Sequence, residues 1–71
     1  MTIHLLKGLK HMQIHELNKD DEIWFKYPNA TISFPAKVIE LEWNFEGEPI
    51  AKTRVGTEIV YIDDNFDIVK V

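Results

Sequence analysis

The sequence predicts an all-β domain, a small closed barrel of five strands, on three observations. Short apolar stretches alternate with a period of two, as half-buried strands do. Each is bounded by Pro, Gly, Asn or Asp, the residues that make turns. The stretches are short and evenly spaced from Asp20 to Val71, which points to a small closed barrel.

Taken in order, Met12, Ile14 and Leu17 predict a short extended lead-in, and Asn18-Lys-Asp-Asp21 a turn whose side chains bond their own backbone. In Glu22 to Tyr27, Ile23, Phe25 and Tyr27 share one face of a strand, while Trp24 and Lys26 share the other. Pro28 ends that strand. The next runs from Phe34 to Trp43, with Ala36 and Val38 on one face and Leu41 and Trp43 on the opposite one. A buried set that changes face predicts a bend or bulge near Ile39, with the two halves serving two packed sheets. Asn44 to Gly47 and then Gly56 supply the positive-φ residues of two successive hairpins, joining strands Ile50 to Val55 and Glu58 to Ile62. Asp63 to Phe66 predicts a single 3₁₀ turn before a closing strand, Asp67 to Val71. The buried set is expected to include Phe25, Ala36, Val38, Leu41, Ile59 and Ile62.

The 71 residues make one domain, divided into an N-terminal extension, 1–11, and the barrel, 12–71. At this size folding buries only about 60% of the surface of the unfolded chain. With no cysteine and no Cys/His cluster, the core rests on the 45% of residues that are apolar, and self-association would help it. In the extension, Leu5, Leu6, Leu9 and Met12 form the stripe of a short amphipathic helix, with Gly8 inside it and Met12 an alternative translation start. A helix so short is ordered only when its stripe docks. If the stripe docks on the barrel, deleting residues 1–11 lowers the melting temperature by several degrees, since a fully buried Leu contributes about 1.5–3 kcal/mol. An unchanged melting temperature and oligomeric state would remove the extension from the fold.

Lack of cysteine and of an export signal makes the cytoplasm the expected compartment, where the sequon Asn29-Ala-Thr31 has no meaning. The net charge of −4 is uneven: residues 1–15 hold Lys7 and Lys10 and no acid, whereas residues 16–71 hold all 12 acids. A barrel of that sign repels phosphate unless its cations cluster.

From Glu16 to Val71 the chain resembles the SH3-like and Tudor-like small barrels. The resemblance is carried by Glu16-Leu-Asn-Lys-Asp-Asp-Glu-Ile-Trp-Phe25, by Pro35-Ala-Lys-Val38 and by the end, Glu58 to Val71. The family's customary Gly before Asp21 is Asp20 here, a residue that tolerates left-handed geometry better than most. The resemblance implies a recognition scaffold, since these domains serve ribosomal, chromatin, phage and signalling proteins alike. In the Tudor-like readers, aromatic residues of the loops after the first and third strands cage a methylated cation. Tyr27 and Phe34 flank the first such loop and Trp24 or Trp43 would add a wall, but Arg54-Val-Gly-Thr-Glu58 offers no aromatic.

The function expected is therefore non-catalytic: an adaptor, regulatory or phage-type accessory module that recruits a protein partner. Its anchors are Trp24, Tyr27, Phe34 and Trp43, because two tryptophans cannot both lie deep in so small a core. A second reading is a nucleic-acid-binding barrel. If the first three strands are neighbours, as in the resembled fold, Lys26, Lys37, Lys52 and Arg54 face outward as a basic stripe beside Trp24. A third is a structural subunit that self-associates through Ile68 to Val71 or through Leu5, Leu6 and Leu9.

No catalytic residue, cofactor or metal site is expected. Ser33 and Thr31 have no histidine base, and Glu40 and Glu42 alternate along one solvated strand face. His11 and His15 stand at i, i+4 but in an extended segment, with only His4 as a third ligand. Asp63-x-Asn65-x-Asp67 begins like a calcium loop, yet Ile68 stands where glycine is required.

Overall fold

The structure of the chain, a computed structural model, describes residues 11–71. The stripe Leu5, Leu6, Leu9 and His4 lie outside the described residues. Five antiparallel strands form one sheet: β1 Glu22–Lys26, β2 Ser33–Trp43, β3 Pro49–Val55, β4 Glu58–Ile62 and β5 Asp67–Lys70, in the order β4-β3-β2-β1-β5. Among the described residues β4 does not pair with β5, so the sheet has two edges and is not closed.

Turn chemistry fixes the connections. Asp20 takes φ 75°, the left-handed conformation that glycine would otherwise supply, and its N–H donates to the Val38 carbonyl at 2.8 Å. Asp20→Gly should therefore stabilise the fold by up to about 1 kcal/mol, since glycine enters this region without a Cβ penalty. Urea melts of the two proteins check the sign, and a less stable glycine variant would show that the 3.9 Å contact of Asp20 with Lys37 outweighs the strain. After β1, the Ala30 N–H donates to the Tyr27 carbonyl at 3.0 Å, with Pro28 and the positive-φ Asn29 at the centre of a type II turn. Gly56, φ 63°, opens the two-residue turn between β3 and β4.

The bulge is where the alternation predicts it, but its effect is different. The register of β2 on β3 shifts between Val38 and Glu40, leaving Ile39 as the extra residue. An inserted residue flips the alternation, so Leu41 lies opposite the buried Ala51 on the same face as Val38, which lies opposite the buried Thr53. One sheet results, not two.

The lead-in covers the core face. Met12 N–H donates to the Ile68 carbonyl, 2.8 Å, and His11 bridges Val69, so the lead-in lies along the outer edge of β5. A 3₁₀ turn, Ile14–Glu16, follows where an extended segment is expected, and it packs against β3. Asp64 accepts the Ile14 N–H at 2.7 Å and ties this turn to the β4–β5 connection. That connection is not 3₁₀: the Phe66 N–H closes a β-turn on the Asp63 carbonyl, and Asp63 Oδ1 accepts the Asn65 N–H. Ile14, Leu17, Ile23, Phe25, Ala36, Val38, Ala51, Ile62 and Ile68 form the buried cluster. Thr53 is buried with them and donates its hydroxyl to the Val60 carbonyl at 2.7 Å, which removes the cost of an unpaired polar group.

Two residues expected in the core are not there. Ile59 is 44% exposed because it lies opposite Arg54 on the outer face, and Ile59 and Ile62, three apart, cannot share a face of a regular strand. Leu41 is on the core face yet 38% exposed, since the β2–β3 hairpin runs on past the end of the core.

Candidate functional site

The four aromatic residues expected to anchor a partner fall in three separate places. Tyr27 and Phe34 meet at the β1–β2 end, where both touch Phe25 and where Tyr27 also touches Phe66. Ring centroids lie 5.0–6.2 Å apart, the spacing of rings in direct contact. No room is left between them for a methylated cation, which must itself sit within about 6 Å of each ring centre. Phe66, expected from the sequence only as a turn residue, closes the cluster from the β4–β5 side. Beside it Tyr27, Asn29 to Ile32 and Phe34 border an open depression.

Trp24 faces the other way. On the outer face of the sheet it lies opposite Pro35 on β2 and Val69 on β5. The same face holds Lys26, Lys37, Lys52 and Arg54, with Lys37 directly opposite Arg54. The sheet thus brings together all four cations and Trp24, and adds Tyr61, which lies opposite Lys52. A shallow depression bordered by Glu22, Trp24, Pro35, Lys37, Arg54 and Val71 lies at its centre. Acids interleave throughout: Glu22 lies opposite Lys37, Glu40 opposite Lys52, and Asp67 holds Lys26 at 3.4 Å. The stripe is therefore close to neutral, a weak attractor for phosphate.

Trp43 stands at the far end of β2, 70% exposed, and Phe45 beyond it is fully exposed. Leu41 and Trp43 share one face of the overhanging hairpin, and Phe45 follows at its tip. The turn that carries Phe45 is organised by one side chain: Asn44 Oδ1 accepts the Glu46 and Glu48 N–H groups at 2.9 and 2.8 Å. Asn44 Nδ2 donates to Glu48 Oε1, and the Asn44 and Gly47 N–H groups close the turn on the Glu48 and Asn44 carbonyls. Gly47, φ 79°, takes the left-handed step back into β3. Residues 40–48 carry four glutamates and no base, so the hairpin end sits in a negative field. Phe45 is not among the anchors expected from the sequence. Its one signal is an aromatic residue between Asn44 and Gly47, at a turn tip where polar residues are the rule.

Other charged side chains form ion pairs within the fold. His11 Nε2 lies 3.2 Å from Asp67, and Lys70 lies 3.5 Å from Asp21. Among the described residues no group of three or more His, Asp or Glu is placed to hold a metal ion. Among them, too, no helix is long and apolar enough to cross a membrane. Compared with models of protein families, with curated proteins and with solved structures, the chain matches none of them.

Proposed function

We propose that this chain is a non-catalytic, cytoplasmic binding module of the SH3-like barrel type that recruits a protein partner through the end of its β2–β3 hairpin. The barrel reading is supported by a meander, β1 to β4, whose fifth strand returns beside β1, and by the bulge that bends β2. The observation that carries the functional reading is the exposure of Trp43 and Phe45 on a turn held by Asn44. Two large rings in water, carried on a backbone turn that is already held, have few side-chain torsions to fix on binding. Their acidic surroundings call for a partner with an apolar cleft rimmed by Lys or Arg.

The second reading is binding of nucleic acid, favoured by the gathering of Lys26, Lys37, Lys52, Arg54 and Trp24 on one face. Salt separates the two, because phosphate contacts release counterions and weaken steeply with ionic strength. With immobilised protein, a partner should be retained after nuclease treatment and at raised salt. It should be lost with Trp43→Ala and Phe45→Ala together. A gel shift of DNA or RNA at physiological salt, abolished by Lys37→Glu with Arg54→Glu, would instead decide for the second reading.

A further inference from the structure

The two edges of the sheet differ. On β5 the lead-in lies across the open side, through the His11 bridge to Val69 and the Met12 bond to Ile68. Among the described residues that cover takes up Ile68 and Val69 of the edge, Ile68 to Val71, at which self-association is expected from the sequence. On β4, among the described residues, no strand or loop pairs with the outer side. The strand is Glu-Ile-Val-Tyr-Ile, without the proline, lysine or bulge that usually protects an edge. Its outer-face residues, Ile59 and Tyr61, are 44% and 51% exposed.

We propose that β4 pairs antiparallel with β4 of a second copy of this chain, about a two-fold axis at Val60. The backbone sets this register. Val55 and Glu58 close a two-residue turn, so that pair exchanges hydrogen bonds within the hairpin, and alternate pairs after it do the same. Glu58, Val60 and Ile62 therefore direct their N–H and C=O groups to β3, and Ile59 and Tyr61 direct theirs outward. With the axis at Val60, Ile59 of each copy lies opposite Tyr61 of the other, and each such pair exchanges both of its bonds. Every outward group of Ile59 and Tyr61 is satisfied.

Side chains and charges fit the same register. On the outer face Ile59 and Tyr61 of both copies form one apolar cluster of aromatic and β-branched pairs, the favourable cross-strand combination. The charge of the strand, Glu58, lies opposite Ile62 of the second copy rather than opposite the other Glu58. Lys52 and Arg54 flank the cluster, three strand spacings from the cations across the axis. That is about 14 Å, beyond the screening length of about 8 Å at physiological ionic strength. The interface is isologous and closes at two copies. It leaves the β2–β3 turn open, so it does not depend on the function proposed above.

The test is sedimentation velocity of the full chain over a range of concentrations, joined to single-cysteine variants in a chain that has no cysteine of its own. At the axis the two Val60 residues form a non-hydrogen-bonded pair, with Cα atoms about 4.5 Å apart, inside the range a disulfide spans. Val60→Cys should oxidise to a linked dimer. Ile59→Cys should stay largely without a disulfide link, because its copies are offset by two residues along the strand, which puts their Cα atoms more than about 7 Å apart. The wild type should move toward twice the monomer mass as concentration rises. Tyr61→Pro, which removes an outward N–H and no bond to β3, should stay monomeric with an unchanged circular dichroism spectrum. A wild type that stays monomeric at every concentration would overturn the proposal, even if β4 takes up an extended peptide of another protein. Faster cross-linking of Ile59→Cys than of Val60→Cys would also overturn it, and this comparison holds even if the proline variant fails to fold.

Discussion

Phe25→Ala should remove a large fraction of the stability of the fold. Phe25, in β1, is 1% exposed and packs edge-on or tilted against Tyr27, Phe34 and Phe66, with centroid distances of 5.7, 5.8 and 5.9 Å. Removing a buried Phe costs about 3–5 kcal/mol, part of it the cavity left behind. A domain of this length has a total stability of only about 4–11 kcal/mol, at roughly 0.05–0.15 kcal/mol per residue. The loss is a large fraction of the whole, and it should lower the melting temperature by more than about 10 °C. Phe45→Ala is the control, since a fully exposed ring should change stability by no more than about 0.5 kcal/mol. Thermal melts followed by circular dichroism compare the two. A Phe25→Ala protein melting within a few degrees of the wild type would show that the aromatic cluster is not the keystone of the core.

That contrast between two phenylalanines bears on what the sequence makes legible. Phe25 is readable because period two sets it with Ile23 on the apolar face of a strand, and that face is buried. The left-handed step at Asp20 and the bulge at Ile39 are readable for the same reason, being local consequences of residue type and alternation. The split of the aromatic anchors is also written in the alternation: Trp24 and Tyr27 have opposite parity, so grouping them as one surface conflicts with the strand that carries them. Leu41 and Phe45 are different. How far β2 and β3 run past the core depends on where the lead-in and its 3₁₀ turn end, and no local pattern encodes that limit. The stripe Lys26, Lys37, Lys52 and Arg54 lies in between. Its members alternate correctly along their strands, but whether they reinforce one another depends on cross-strand register, which also places Glu22, Glu40 and Asp67 among them.

Trp43→Ala and Phe45→Ala should each weaken partner binding by about 30-fold or more, the effect of losing an interface hot spot worth at least about 2 kcal/mol. Both side chains lie beyond the core, 70% and fully exposed, so neither change should move the melting temperature by more than about 4 °C. Trp24→Ala supplies the comparison that a general stickiness of tryptophan would fail. Trp24 is 44% exposed on the outer face, away from the hairpin end, and its loss should leave binding unchanged. Asn44→Ala tests the ordering of the turn without touching either ring. It removes the acceptor of the Glu46 and Glu48 N–H groups and frees the tip that carries Phe45. Binding should weaken by less than in the aromatic variants, because the rings remain but must be ordered on contact. Titration of the partner against all four variants reads these effects. If Trp24→Ala weakens binding as much as Phe45→Ala does, the partner is engaging the outer face of the sheet, and the hairpin end is not the site.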